Sequence, residues 1–102
     1  MMALFAIMKA TLLLRERIEY PDGALIEMKI WQVPEPVPPT THGLKYSLIY
    51  IVDGQRIVGY DNERGKGDHR HLGTLETPYL FVSAKVLIGD FRADVLAVRG
   101  SI

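Results

Sequence analysis

The sequence predicts an α+β domain: an antiparallel sheet of about four to five strands, built from two hairpins, with one C-terminal helix packed on a face. Three observations lead there. Two pairs of alternating apolar and polar runs each close on a glycine-containing turn. A single run with helical spacing comes last. Strands first and a helix afterwards is the order of segregated layers, not of a parallel α/β sheet.

Residues 10–20 open the sheet, with Leu12, Leu14, Ile18 and Tyr20 on one period-2 face and Arg15, Arg17 and Glu19 on the other. Pro21-Asp22-Gly23 turns the chain, proline presetting φ and glycine accepting a positive value. Ala24 to Val33 alternates again, setting Ile26, Met28 and Ile30 against Glu27 and Lys29. Trp31 falls on the side away from those three apolar residues, where it either anchors a partner or meets the helix. The stretch 34–43 carries four of the six prolines, so no ladder passes through it. Leu44, Tyr46, Leu48, Tyr50 and Val52 form one face of a third strand, Asp53-Gly54 turns, and Gln55 to Tyr60 returns. Residues 61–77 read as a long polar, glycine-rich loop, and Pro78 to Val82 as a short fifth strand. Ser83 is an N-cap, Leu87, Phe91, Val95 and Val98 share a helix face, and Gly100 ends the helix.

The 102 residues make one domain, with 48% hydrophobic and 24% charged residues, a balance that excludes a disordered chain. Residues 1–7 read as an N-terminal extension ahead of Met8, and 8–102 as the single domain. The apolar run before Lys9 is too short for a signal peptide or a spanning helix, which needs about 20 residues. Twelve Lys and Arg balance twelve Asp and Glu, which argues against a broadly basic nucleic-acid binder. With no cysteine there is no disulfide scaffold, thiolate metal site or thiol nucleophile, and a reducing cytoplasm suits the chain.

The segment 59–73 is where chemistry concentrates. Asp61, Glu63, Arg64, Lys66, Asp68, His69, Arg70 and His71 stand within eleven residues. If 68–71 is extended, His69 and His71 project from one side and Arg70 from the other. Two imidazoles on one face suit phosphodiester cleavage, one deprotonating a ribose 2′-hydroxyl and the other protonating the leaving oxygen. Asp68 joins them as a catalytic candidate. Arg64, Lys66 and Arg70 are phosphate-binding candidates, and Gly65 and Gly67 let backbone N–H groups approach a phosphate. No cofactor is required. A metal-dependent phosphodiesterase or hydrolase is the competing chemistry, with Asp61, Asp68, His69 and His71 as ligands. The bland alternative is a solvated, salt-bridged loop, since its three acids and three bases cancel. His42, between the proline stretch and Gly43, reads first as a turn residue.

Several stretches together resemble the TumE family of small bacterial and archaeal proteins. They are Met8 to Glu16, the Pro21-Asp22-Gly23 turn, Ile30-Trp31-Gln32-Val33-Pro34, Tyr60 to His71, Pro78-Tyr79 with Phe81, and Asp90-Phe91. The Gly65 to His71 run is the most specific of these. The resemblance implies the toxin of a type II toxin–antitoxin pair, with a cognate antitoxin that carries a DNA-binding domain. It supplies no catalytic residues. Joined to the chemistry above, it leads to a cytoplasmic toxin acting on RNA as a metal-independent ribonuclease, with no membrane partner and a homodimer left open. A non-enzymatic protein-binding module is the rival of another class.

Overall fold

The first hairpin folds as its turn residues dictate: Tyr20 N–H donates to the Ala24 carbonyl at 2.9 Å, and Gly23 takes φ +88° between them. A computed structural model of the chain describes residues 10–101; the expected extension at 1–7 lies outside them. Within that range the strands are β1 (Thr11–Glu19), β2 (Leu25–Gln32), β3 (Leu44–Val52), β4 (Gln55–Glu63), β5 (Gly67–Leu72) and β6 (Leu75–Pro78). One helix, α1 (Ala84–Arg99), follows. The strands form a single antiparallel meander in chain order, each paired with its sequence neighbour.

The antiparallel sheet and C-terminal helix match the expected class, but the sheet has six strands, not four to five. The difference lies in 61–77, which is not a loop. β4 continues through Asp61 to Glu63, and the chain then turns twice to make β5 and β6. Gly65 (φ +87°) and Gly67 (φ +80°) allow the tight first reversal, so the glycines serve turns inside a sheet. Asn62 explains why polarity does not end β4. Its side chain accepts the Tyr46 N–H at 3.0 Å and donates to the Leu44 carbonyl at 2.7 Å, extending the ladder beside β3. Pro78 to Val82 is likewise not a strand: β6 closes at Pro78, and 79–83 leads into the helix.

The core lies between one sheet face and α1. Alternation brings Ile26, Met28 and Ile30 of β2 into line with Tyr50, Leu48 and Tyr46 of β3, all essentially buried. Val58 and Tyr60 extend that face on β4, and Leu87, Phe91 and Val95 of α1 close over it. Ser83 caps the helix by accepting the Val86 N–H, and Gly100 ends it in the left-handed region (φ +86°). The proline stretch folds back on the β4–β5 turn: Gly65 N–H donates to the Pro38 carbonyl at 2.8 Å. A Cβ on Gly67 would sit 3.2 Å from Pro39.

Candidate functional site

The sheet face opposite α1 carries the cluster. Because side chains alternate along a strand, β5 sends Asp68, Arg70 and Leu72 toward the helix and His69 and His71 the other way. His69 stands opposite Asp61 of β4, and His71 opposite Gly59 of β4 and Glu76 of β6. An i,i+2 pair on one strand is separated by about 7 Å along the backbone, room for one phosphate group between the rings.

The hydrogen bonds orient each imidazole. His69 Nδ1 lies 3.0 Å from the Gly67 carbonyl, which can only accept, so this nitrogen carries the proton. The lone pair of the neutral ring is therefore on Nε2, 3.8 Å from Glu76 Oε2. His71 is arranged oppositely. An Arg56 guanidinium nitrogen, which can only donate, sits 3.1 Å from His71 Nδ1, so the proton is on Nε2, facing Asp61 at 3.6 Å. The two side chains are 15% and 10% exposed, held firmly but still reachable.

Two cations border the pair. Lys66 contacts Glu76 at 2.6 Å; that hydrogen bond, more than anything else, raises the lysine's pKa and lowers the glutamate's. Both therefore stay charged around neutrality. Arg56 also approaches Asp61, at 3.9 Å. It reaches across the sheet because β4 has no side chain at Gly59, where a Cβ would lie 2.8 Å from Arg56 Cδ. Sequence reasoning missed Arg56. The signal was Gly59 itself, since a glycine inside a strand marks the close approach of another group.

The other sequence candidates do not join this cluster. Asp68 points to the helix side, accepting from Tyr46 Oη at 2.6 Å, His42 Nε2 at 2.8 Å and Thr40 Oγ1 at 3.0 Å. His42 is thus a structural ring: it stacks on Phe81 with centroids 3.7 Å apart, and its Nδ1 accepts the Leu44 N–H. Burial first, then the bond to Asp68, pushes the Tyr46 phenol far above its ordinary pKa. Arg70 forms a bidentate pair with Asp94 of α1, both contacts 2.8 Å, while Tyr60 donates to the same carboxylate. That pair lies in a cleft of about 330 Å³ lined also by Tyr79, Leu80 and Asp90. Arg64 lines a separate hollow with the proline stretch. The four residues proposed as metal ligands do not converge: Asp68 is across the sheet from Asp61, His69 and His71, and among the described residues no three His or carboxylate side chains are grouped to hold an ion. Trp31 faces the open side, so the reading in which it meets the helix is ruled out.

The model of the family described as Toxin TumE matches residues 5–99, nearly the whole chain and both histidines. The chain belongs to this family. No curated protein and no solved structure matches it. As a TumE toxin, the chain has an antitoxin as its implied partner. Among its described residues no helix is long and apolar enough to cross a membrane.

Proposed function

We propose that this TumE-family toxin acts on RNA in the cytoplasm as a metal-independent ribonuclease, with the open sheet face as its site. One observation carries the reading: His69 and His71 share that face in opposite tautomers, the lone pair on Nε2 of His69 and the proton on Nε2 of His71, beside Arg56 and Lys66. His69 Nε2 takes the proton from a ribose 2′-hydroxyl, whose oxygen attacks phosphorus. The phosphate draws Arg56 away from His71, whose freed Nδ1 takes a proton from solvent, so that the ring carries two beside Asp61. As the bond to the 5′-oxygen breaks, His71 gives that oxygen a proton, leaving a 2′,3′-cyclic phosphate. Arg56 and Lys66 stabilise the charge on the non-bridging oxygens. This keeps Lys66 in the phosphate-binding role, replaces Arg70 with Arg56, and leaves Asp68 and Arg64 outside the chemistry. The antitoxin, in the same proposal, carries a DNA-binding domain and silences the toxin by binding it.

The test incubates purified protein with RNA, with and without a chelator. Cleavage in both tubes, with cyclic-phosphate ends, is expected, and His69→Ala should lower the rate by about 10²–10⁴-fold, the usual worth of a general base. Cleavage abolished by the chelator would favour the metal-dependent alternative. Growth arrest by a His69→Ala/His71→Ala variant as strong as the parent's would end the catalytic reading. A second reading, docking to a protein without chemistry, draws on the outward Leu80 and Val82, 84% and 65% exposed. It predicts no cleavage in either tube.

A further inference from the structure

The open face continues well beyond the histidines. Strand register lays Asp61 opposite His69, Ser47 opposite Asp61, Lys29 opposite Ser47 and Arg15 opposite Lys29, one row running from β5 to β1. In the adjacent row Trp31 of β2 stands opposite Lys45 of β3. From the strand spacing and the rise per residue, Trp31 lies roughly 16 Å from His69, a span that a few extended nucleotides cover. Trp31 is half-buried, so part of its surface remains open on this face.

The charges along this row are arranged unevenly. The acidic groups nearest the histidines are already engaged, Asp61 by Arg56 and His71, and Glu76 by Lys66. Lys29 is held by Glu27 at 3.8 Å. Among the described residues neither Arg15 nor Lys45 makes an ion pair; Lys45 donates only to the Asn62 carbonyl. An aromatic ring beside an unpaired ammonium, on a sheet face that leads to a candidate phosphate site, is a stacking platform next to a backbone contact. Trp31 is flanked by the exposed Leu12 of β1 on one side and by Lys45 of β3 on the other, with Lys29 two residues before it on β2. A protein partner would want the centre of such a patch depleted of charge, and here two ammonium groups border the ring.

We propose that this face takes single-stranded RNA laid across the strands, one base stacked on Trp31 and the neighbouring phosphates met by Lys45 and Arg15, so that the chain passes His69 and His71. This rests on the ribonuclease reading above and adds what that reading leaves open, the strandedness of the substrate and the residues that hold it. Stacking requires a base with an exposed face, so a duplex, whose bases are covered by their neighbours, gains nothing from Trp31.

Trp31 is the sole tryptophan, so its emission reports on the stack directly. The experiment titrates the full-length His69→Ala chain with a single-stranded oligoribonucleotide and with the same sequence as a duplex. Emission and the anisotropy of a labelled strand are followed together. Quenching by the single strand, with the duplex bound at least about tenfold more weakly, is expected. Trp31→Leu in the same background should bind the single strand about tenfold more weakly, as loss of one stacked base does. Lys45→Ala, which removes the ammonium and leaves Trp31 in place, should weaken it with a shallower salt dependence. Equal affinity for strand and duplex without quenching overturns the proposal, and so does binding untouched by Trp31→Leu and Lys45→Ala. Failure of the two readings is separable. Binding with quenching but no cleavage by the parent chain removes the catalytic assignment alone. Cleavage by the parent with KM unchanged in Trp31→Leu removes the RNA path alone.

Discussion

Asp68 provides the sharpest test of how the two sheet faces divide their work. Its carboxylate, 13% exposed, accepts from Tyr46, His42 and Thr40. Each donor to a charged acceptor is worth about 1.5–3 kcal/mol in mutational series, but the three are not additive. His42, with a side chain 17% exposed, lies near enough to the surface for water to replace part of its loss, whereas Thr40 and Tyr46 are only 6% and 1% exposed. Asp68→Ala should therefore cost about 3–5 kcal/mol, the usual price of breaking a buried charged network. Against a total stability of about 5–15 kcal/mol this is large. It should lower Tm by at least about 12 °C, at about 4–8 °C per kcal/mol for a domain of this size. Asp68→Asn, which keeps one accepting oxygen, should lose clearly less. The assay is thermal and urea unfolding followed by far-UV CD, with RNA cleavage scaled to the folded fraction. Activity per folded molecule should survive Asp68→Asn. A variant that melts like the parent yet cleaves nothing would refute the assignment of Asp68 to the scaffold and return it to the catalytic group.

Three further outcomes are expected. Gly59→Ala crowds only the flexible Arg56 side chain, so stability should change by less than about 1 kcal/mol while growth arrest weakens, because Arg56 can no longer lie across the strand to His71; a large fall in Tm with full toxicity would contradict this. Burial pushes the Asp94 carboxyl up, but the bonds from Arg70 and Tyr60 outweigh it and hold its folded pKa below the ordinary value. Its stabilisation is thus present above pH about 3.9 and lost as pH falls through the folded value, so in acid urea titrations the parent should lose stability more steeply below pH 4 than Asp94→Asn. Tyr46, Tyr60 and Tyr79 all have phenols raised by burial first and then by a bonded aspartate. Their contribution is complete below pH about 10 and disappears above it, so these phenols should ionise only together with the loss of far-UV CD, a step that shrinks in Tyr46→Phe.

What could be read from the sequence follows from how local each cause is. The turn at Asp53 (φ +51°) and Gly54 (φ +75°), the cap at Ser83 and the stop at Gly100 are decided within a few residues, and all were legible. β5 was not, because its polar side chains are satisfied by partners far along the chain: Asp68 by Tyr46, and Arg70 by Asp94, 22 and 24 residues away. No window of sequence shows that such a strand can be buried on one face. The placement of His69 beside His71 needed only alternation. The same alternation separates Asp68 from them, and grouping all three ignored it. Arg56 comes from across a hairpin, and its only local trace was the glycine that makes room for it.

The buried polar groups also bear on the open face through register. A slip of β5 by one residue would exchange its faces, sending His69 and His71 under the helix and Asp68 and Arg70 into solvent. Apolar patterning cannot prevent this, since Leu72 is the only large apolar residue in the strand. What holds the register is polar: three donors converge on Asp68, and a bidentate pair joins Arg70 to α1. Charge on the helix face thus positions the histidines without touching them. That also accounts for a segment whose acids and bases balance: two of the six, Asp68 and Arg70, fasten the strand to the core, while Asp61 and Lys66 stand on the outward side around a pair of imidazoles.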